Sequence, residues 1–76
     1  MEINKKTLAK ELASFLRTYS SMVEHADKKG DEKTANFYRG KAYGVQDLAM
    51  TFFGVEEMCG YWRQELIENL EEIAEN

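Results

Sequence analysis

Proline is absent from all 76 residues, and cysteine and histidine occur once each, as Cys59 and His25. A chain without proline places no fixed break in a helix interior, which favours an all-α fold. A lone cysteine excludes an internal disulfide. One cysteine with one histidine leaves too few ligands for a structural zinc site, so no metal and no cofactor are expected. Long uncharged apolar runs are also missing: no stretch approaches the ~18 residues of a membrane span. The opening Met1-Glu2-Ile3-Asn4-Lys5-Lys6 is not followed by an apolar run, so no signal peptide and no membrane association are expected. The default location is then the cytoplasm, with Cys59 reduced.

What is present describes a single folded domain over 1–76. Apolar residues make up 43% and charged residues 32%, too apolar a balance for a disordered chain. A core of this size rarely supplies more than ~3–5 kcal/mol. With disulfide and metal excluded, a partner subunit is the natural remaining support, and a homodimer is expected. The net charge of −4 is unevenly spread. Residues 1–41 carry nine Lys and Arg against six Asp and Glu, whereas residues 42–76 carry one against eight. A basic first half thus precedes an acidic second half.

Apolar periodicity divides the chain into three helices, at about 5–29, 31–53 and 55–74. In the first, Leu8, Leu12, Phe15, Tyr19, Met22 and Ala26 recur at steps of four and three, and Ala9, Leu16 and Val23 widen the stripe. Asn4 suits the N-cap. Lys28 and Lys29 suit the last turn, and Gly30 the left-handed residue that ends it. Asp31 can cap the second helix, and so short a connection makes the two helices antiparallel neighbours. The second helix has a stripe at Ala35, Tyr38, Ala42, Val45, Ala49 and Phe52, with Phe37, Gly44 and Leu48 beside it. Gly40 and Gly44 lie one turn apart and are expected to permit close packing by another helix. Gly54 ends or bends this helix, and one continuous bent helix is the alternative. The third helix has its stripe at Val55, Cys59, Trp62, Leu66, Leu70 and Ile73, with Met58 at the edge. The expected architecture is an all-α bundle, a helical hairpin plus a third helix.

Catalytic chemistry has few candidates. Cys59 falls on an apolar stripe, where a buried small hydrophobe is the ordinary role. The only available base, His25, falls on a polar face. No HExxH, CxxC, phosphate-binding loop or nucleophile elbow occurs, so no enzyme is expected. Asp27-Lys28-Lys29-Gly30-Asp31 fails as a calcium loop: counted from Asp27, position 3 is Lys29, glycine falls at position 4, and position 12 is Tyr38.

Surfaces carry more information. Glu65, Glu68, Glu71, Glu72 and Glu75 crowd the last turns, where like charges four apart and the negative helix end both oppose them. Two offsets are available. In an up-down-up bundle the acidic end would face the basic turn of Lys28, Lys29 and Lys33; otherwise the acidic face meets a basic surface on a partner protein. A second candidate interface is the apolar patch Tyr43, Met50, Phe53, Met58 and Tyr61 around Gly54. Periodicity directs Tyr43, Met50 and Tyr61 away from the core. A third set, Lys28, Lys29, Lys33, Arg39 and Lys41, could serve direct nucleic-acid binding, although the domain as a whole is anionic.

The stretch Ala26-Asp27-Lys28-Lys29-Gly30-Asp31, followed by Phe37-Tyr38-Arg39-Gly40-Lys41-Ala42-Tyr43-Gly44, resembles small accessory proteins of phages and prophages of Gram-positive bacteria. The similarity covers about residues 20–53. It implies a short non-enzymatic protein that regulates or inhibits host machinery in the host cytoplasm, a class that includes anti-CRISPR and other anti-defence inhibitors. It carries over no functional residue, and the basic first half departs from strongly acidic DNA mimics. The leading expectation is therefore a protein-binding inhibitor or modulator. A small nucleic-acid-binding regulator and a self-assembling structural subunit are the alternatives.

Overall fold

The computed structural model describes residues 4–54 and 63–76. It contains α1 (Lys5–Lys29), α2 (Glu32–Phe53) and α3 (Arg63–Glu75). Val55, Met58, Cys59, Tyr61 and Trp62, assigned above to the third helix, lie outside the described residues, so the part of α3 described begins at Arg63.

The helix ends follow the local chemistry of the sequence. Asn4 Oδ1 accepts the Lys6 and Thr7 N–H groups at 3.0 and 3.2 Å, satisfying two donors of the first turn. At the other end Gly30 adopts φ 73°, which a side chain would disfavour. The Gly30 N–H reaches Asp27 O and the Asp31 N–H reaches Ala26 O, the paired closure of a Schellman turn. Asp31 then caps α2: Oδ1 accepts the Thr34 N–H at 3.2 Å and Oδ2 accepts the Thr34 hydroxyl at 2.7 Å. These bonds hold the Asp31 carboxyl below its ordinary range, Thr34 being the principal cause. α2 ends at Gly54, with φ 101° and its N–H on Met50 O, rather than running on as a bent helix.

α1 packs against both other helices. Its seam with α2 has heptad spacing. Ala9, Leu16 and Val23 repeat at seven, as do Leu12, Tyr19 and Ala26; on α2 all three buried residues, Ala35, Ala42 and Ala49, repeat at seven. Among the described residues, six of the twelve buried apolar ones are alanine. This interior lets backbones approach but removes little apolar surface per residue from water. The expected α1 stripe is therefore corrected by a rotation. Leu12 and Ala26 are buried, but Phe15 and Met22 are 47% and 41% exposed, and the widening residues Ala9, Leu16 and Val23 occupy the seam. A phenylalanine cannot sit in a seam set by alanines, so Phe15 moves to its edge.

α3 covers one flank of this hairpin. Leu66, Ile67 and Leu70 join Ala9, Leu12, Ala13, Leu16, Ala42 and Ala49 in one buried cluster. Of these, Ile67 was missing from the expected third-helix stripe. The helix direction follows from its end contacts. Arg63, its first residue, lies over the Tyr43 ring near the middle of α2, at 5.4 Å from the centroid. Ala74 and Glu75, at its end, share a cleft with Lys10 and Ala13 of α1. α3 thus descends from mid-hairpin toward the open end, in the same sense as α2. The molecule measures 41 × 22 × 21 Å, and its radius of gyration of 12.9 Å exceeds the ~11 Å of a compact chain this long. No described helix is long and apolar enough to cross a membrane.

Candidate interaction surfaces

The acidic residues of α3 divide into one bound group and one open stripe. Glu71 lies against α1, where its carboxylate accepts from Arg17 Nε at 3.1 Å and pairs with Nη2 in a two-pronged contact. Arg17 holds the Glu71 carboxyl below its ordinary range, first through this hydrogen bond, and Glu71 in turn raises the Arg17 guanidinium. The pair borders an open cleft lined by Lys10, Ala13, Ser14, Arg17, Glu71, Ala74 and Glu75. Glu65, Glu68, Glu72 and Glu75 are all exposed. Their steps of three, four and three place them on one line along the outer side of α3. Among the described residues the one polar side-chain contact on that line is Gln64 Nε2 donating to Glu68 Oε1 at 3.3 Å.

The expected offset of this acid by the hairpin turn is corrected by the same geometry. Because α3 descends toward the open end, its acidic end leaves the turn. Among the described residues no salt bridge joins α3 to Lys28, Lys29 or Lys33; the one that reaches α1 uses Arg17. The basic set is largely engaged locally. Lys28 pairs with Glu24 at 3.4 Å, and Arg39 with Asp27 at 2.7 Å. Lys41 Nζ lies 5.0 Å and 5.7 Å from the Phe37 and Tyr19 ring centroids, a cation held over aromatic faces. Three of these five side chains thus meet local acidic or aromatic partners, while Lys29 and Lys33 are exposed.

The expected apolar patch is not brought together as drawn. Tyr43 does point outward, 57% exposed, and lies beneath the Arg63 guanidinium. Met50 was expected to point away from the core; instead Met50 and Phe53 both pack against the buried cluster, on the side that α3 occupies. Met58 and Tyr61 lie outside the described residues. Gly40 and Gly44 also depart from expectation. Both are exposed, and a Cβ built at either would meet nothing within 4 Å. They serve no helix contact among the described residues, and each costs about 0.5–1 kcal/mol relative to alanine.

Sequence reasoning missed an exposed apolar surface that spans both helices of the hairpin. At 100° per residue, Phe15, Tyr19 and Met22 fall on the flank of α1 opposite Lys10, Ala13 and Arg17. Phe37, Leu48 and Phe52 fall on the matching flank of α2. Phe37 is 59% exposed and Leu48 48%, with Phe52 not far below. A file of rings crosses between the helices. Phe15 stacks on Tyr19 at 6.0 Å, Tyr19 on Tyr38 at 6.0 Å, and Phe37 meets Tyr38 edge-on at 5.2 Å. The available signal was the double apolar strip on each helix, of which only one strip can enter a seam. His25 is exposed on α1, in a shallow depression with Ser21, Glu24 and Lys28. Among the described residues no group of three or more His, Cys, Asp or Glu is placed to hold a metal ion.

Fold and surfaces together define a small helical bundle, a hairpin with a third helix laid along one flank. No family model, curated protein or solved structure matches the chain.

Proposed function

We propose that this chain is a non-catalytic protein-binding protein that inhibits or modulates its partner, of the kind found among phage accessory and anti-defence proteins. Its partner-facing surface is the stripe of Glu65, Glu68, Glu72 and Glu75 on α3, which meets a basic surface. One observation carries this reading: the fold neutralises Glu71 through Arg17 and leaves the other four carboxylates on one exposed line. Glu68 and Glu72 repel at one-turn spacing, and the stripe approaches the negative end of the helix. The arrangement opposes helix stability, and a basic partner would reverse the sign of that effect. Charge complementarity of this kind speeds encounter and fixes orientation. Action in the host cytoplasm belongs to the same reading.

The test is affinity capture from a Gram-positive host lysate, comparing the wild type with a Glu65→Lys/Glu68→Lys/Glu72→Lys variant. Glu71 is left in place because it closes the contact with α1. The expected result is loss of the captured protein with the variant, and loss with the wild type as salt rises past ~0.15 M, where screening acts within ~8 Å. Equal capture by a variant of unchanged helical content would remove the acidic stripe from the function.

A further inference from the structure

We propose that the uncovered flank of the α1/α2 hairpin is the interface of a two-fold homodimer, occupied by the same flank of a second copy. The flank is built on two helices at once, with Phe15 and Met22 on α1 and Phe37, Leu48 and Phe52 on α2, all at least 40% exposed. Among the described residues no helix lies across it, α3 being on the opposite side.

Three features select a second copy. The first is area. α2 is 22 residues long and the molecule about 22 Å wide, so the flank offers roughly 700 Å², near the ~800 Å² per partner of a standard interface. The second is charge. The acidic α3 side would repel its own copy, whereas the rim of this flank carries charge of both signs, Glu11 and Lys29 on α1 with Lys33 and Lys41 on α2, all exposed. A surface of mixed sign meets itself with less repulsion than the uniformly acidic side does, as a two-fold interface requires. The third is the glycine pair. Gly40 and Gly44 interrupt the exposed side of α2 with nothing above them. That weakens the helix in an isolated protomer but leaves shallow sites into which side chains such as Leu48 of a facing helix can settle. The resulting dimer has four helices in two facing layers, with an α3 and its acidic stripe on each outer side. It adds apolar burial to a protomer in which half the described buried residues are alanine.

Sedimentation equilibrium of the full chain, from low micromolar to near-millimolar concentration, reads the assembly directly. The wild type is expected to reach twice the 8.8 kDa of one chain and no more. Leu48→Glu and Gly44→Lys should each return the single-chain mass with helical circular dichroism retained. Leu48 is already half-exposed and lysine is a better helix former than glycine, so neither change threatens the protomer. Glu68→Lys/Glu72→Lys should remain dimeric. A wild-type monomer throughout the range would overturn the proposal and assign the flank to a different protein. A dimer that survives Leu48→Glu or Gly44→Lys, dissociation on changing α3, or a ladder of larger species would overturn it equally. Failure here leaves the acidic-stripe function standing, because that reading requires no dimer.

Discussion

On one flank of the α1/α2 hairpin, Ala9, Ala13 and Leu16 lie in a buried cluster with Leu66, Ile67 and Leu70 of α3. On the other, Phe15, Met22, Phe37, Leu48 and Phe52 meet solvent. On α1 the larger side chains, Phe15 and Met22, are on the uncovered flank, and the covered one presents alanine and leucine. Size therefore did not decide which flank α3 takes. Small residues on α1 let the α3 backbone approach, so Leu66 and Leu70 fill the space that alanines leave. Stability of the protomer then resides on the covered flank, and the exposed apolar side chains reside on the other.

Truncation should separate the two flanks most sharply. Leu66→Ala removes a fully buried side chain and is expected to cost about 2–5 kcal/mol, read by urea denaturation. In a Gly44→Lys background, where the second copy is excluded, Leu48→Ala should change stability by no more than about 0.5 kcal/mol, because Leu48 contributes little to the protomer core. Equal losses at the two positions would erase the contrast.

Backbone effects come next. Gly40→Ala and Gly44→Ala should each stabilise the dilute protomer by about 0.5–1 kcal/mol, since an added Cβ meets nothing within 4 Å. At high concentration Gly44→Ala should weaken self-association, because the methyl group would fill a site prepared for the facing helix. A gain in both measurements would place Gly44 outside the interface.

The smallest effect concerns the pair that ties α3 to α1. The Glu71 carboxyl is lowered by Arg17 in the folded state. Its contribution is therefore present above the ordinary carboxylate range and lost as pH falls through the folded-state value. Glu71→Gln should flatten the acid side of a stability-against-pH curve while leaving neutral stability little changed, as suits a half-exposed pair. Asp31, lowered by its bonds from Thr34, titrates in the same sense. An acid limb unchanged by Glu71→Gln would assign the acid sensitivity to Asp31.

Helix existence and ends were legible to the residue at Asn4, Gly30, Asp31 and Gly54, because caps act through bonds to atoms three or four positions away. The α2 stripe was legible too, since Ala35, Ala42 and Ala49 leave one small-residue line. The orientation of α1 was less so. Leu8, Phe15 and Met22 repeat with the same period as Ala9, Leu16 and Val23, and periodicity alone does not rank two adjacent stripes. The outward glycines were misread because a small residue serves a packed helix and an unoccupied surface alike. Of the acidic set, the exposed line was readable from its spacing, but the partner of Glu71 was not, lying 54 positions away on another helix.

The sequence by itself determined three amphipathic helices, the termini of the first two and the segregation of charge, all set by interactions that span one turn. Only the tertiary structure decided which stripe of α1 enters the seam, that α3 descends parallel to α2, and that one aromatic flank stays open. Those outcomes depend on how closely backbones can approach across alanine surfaces, a property of paired helices that no single helix carries.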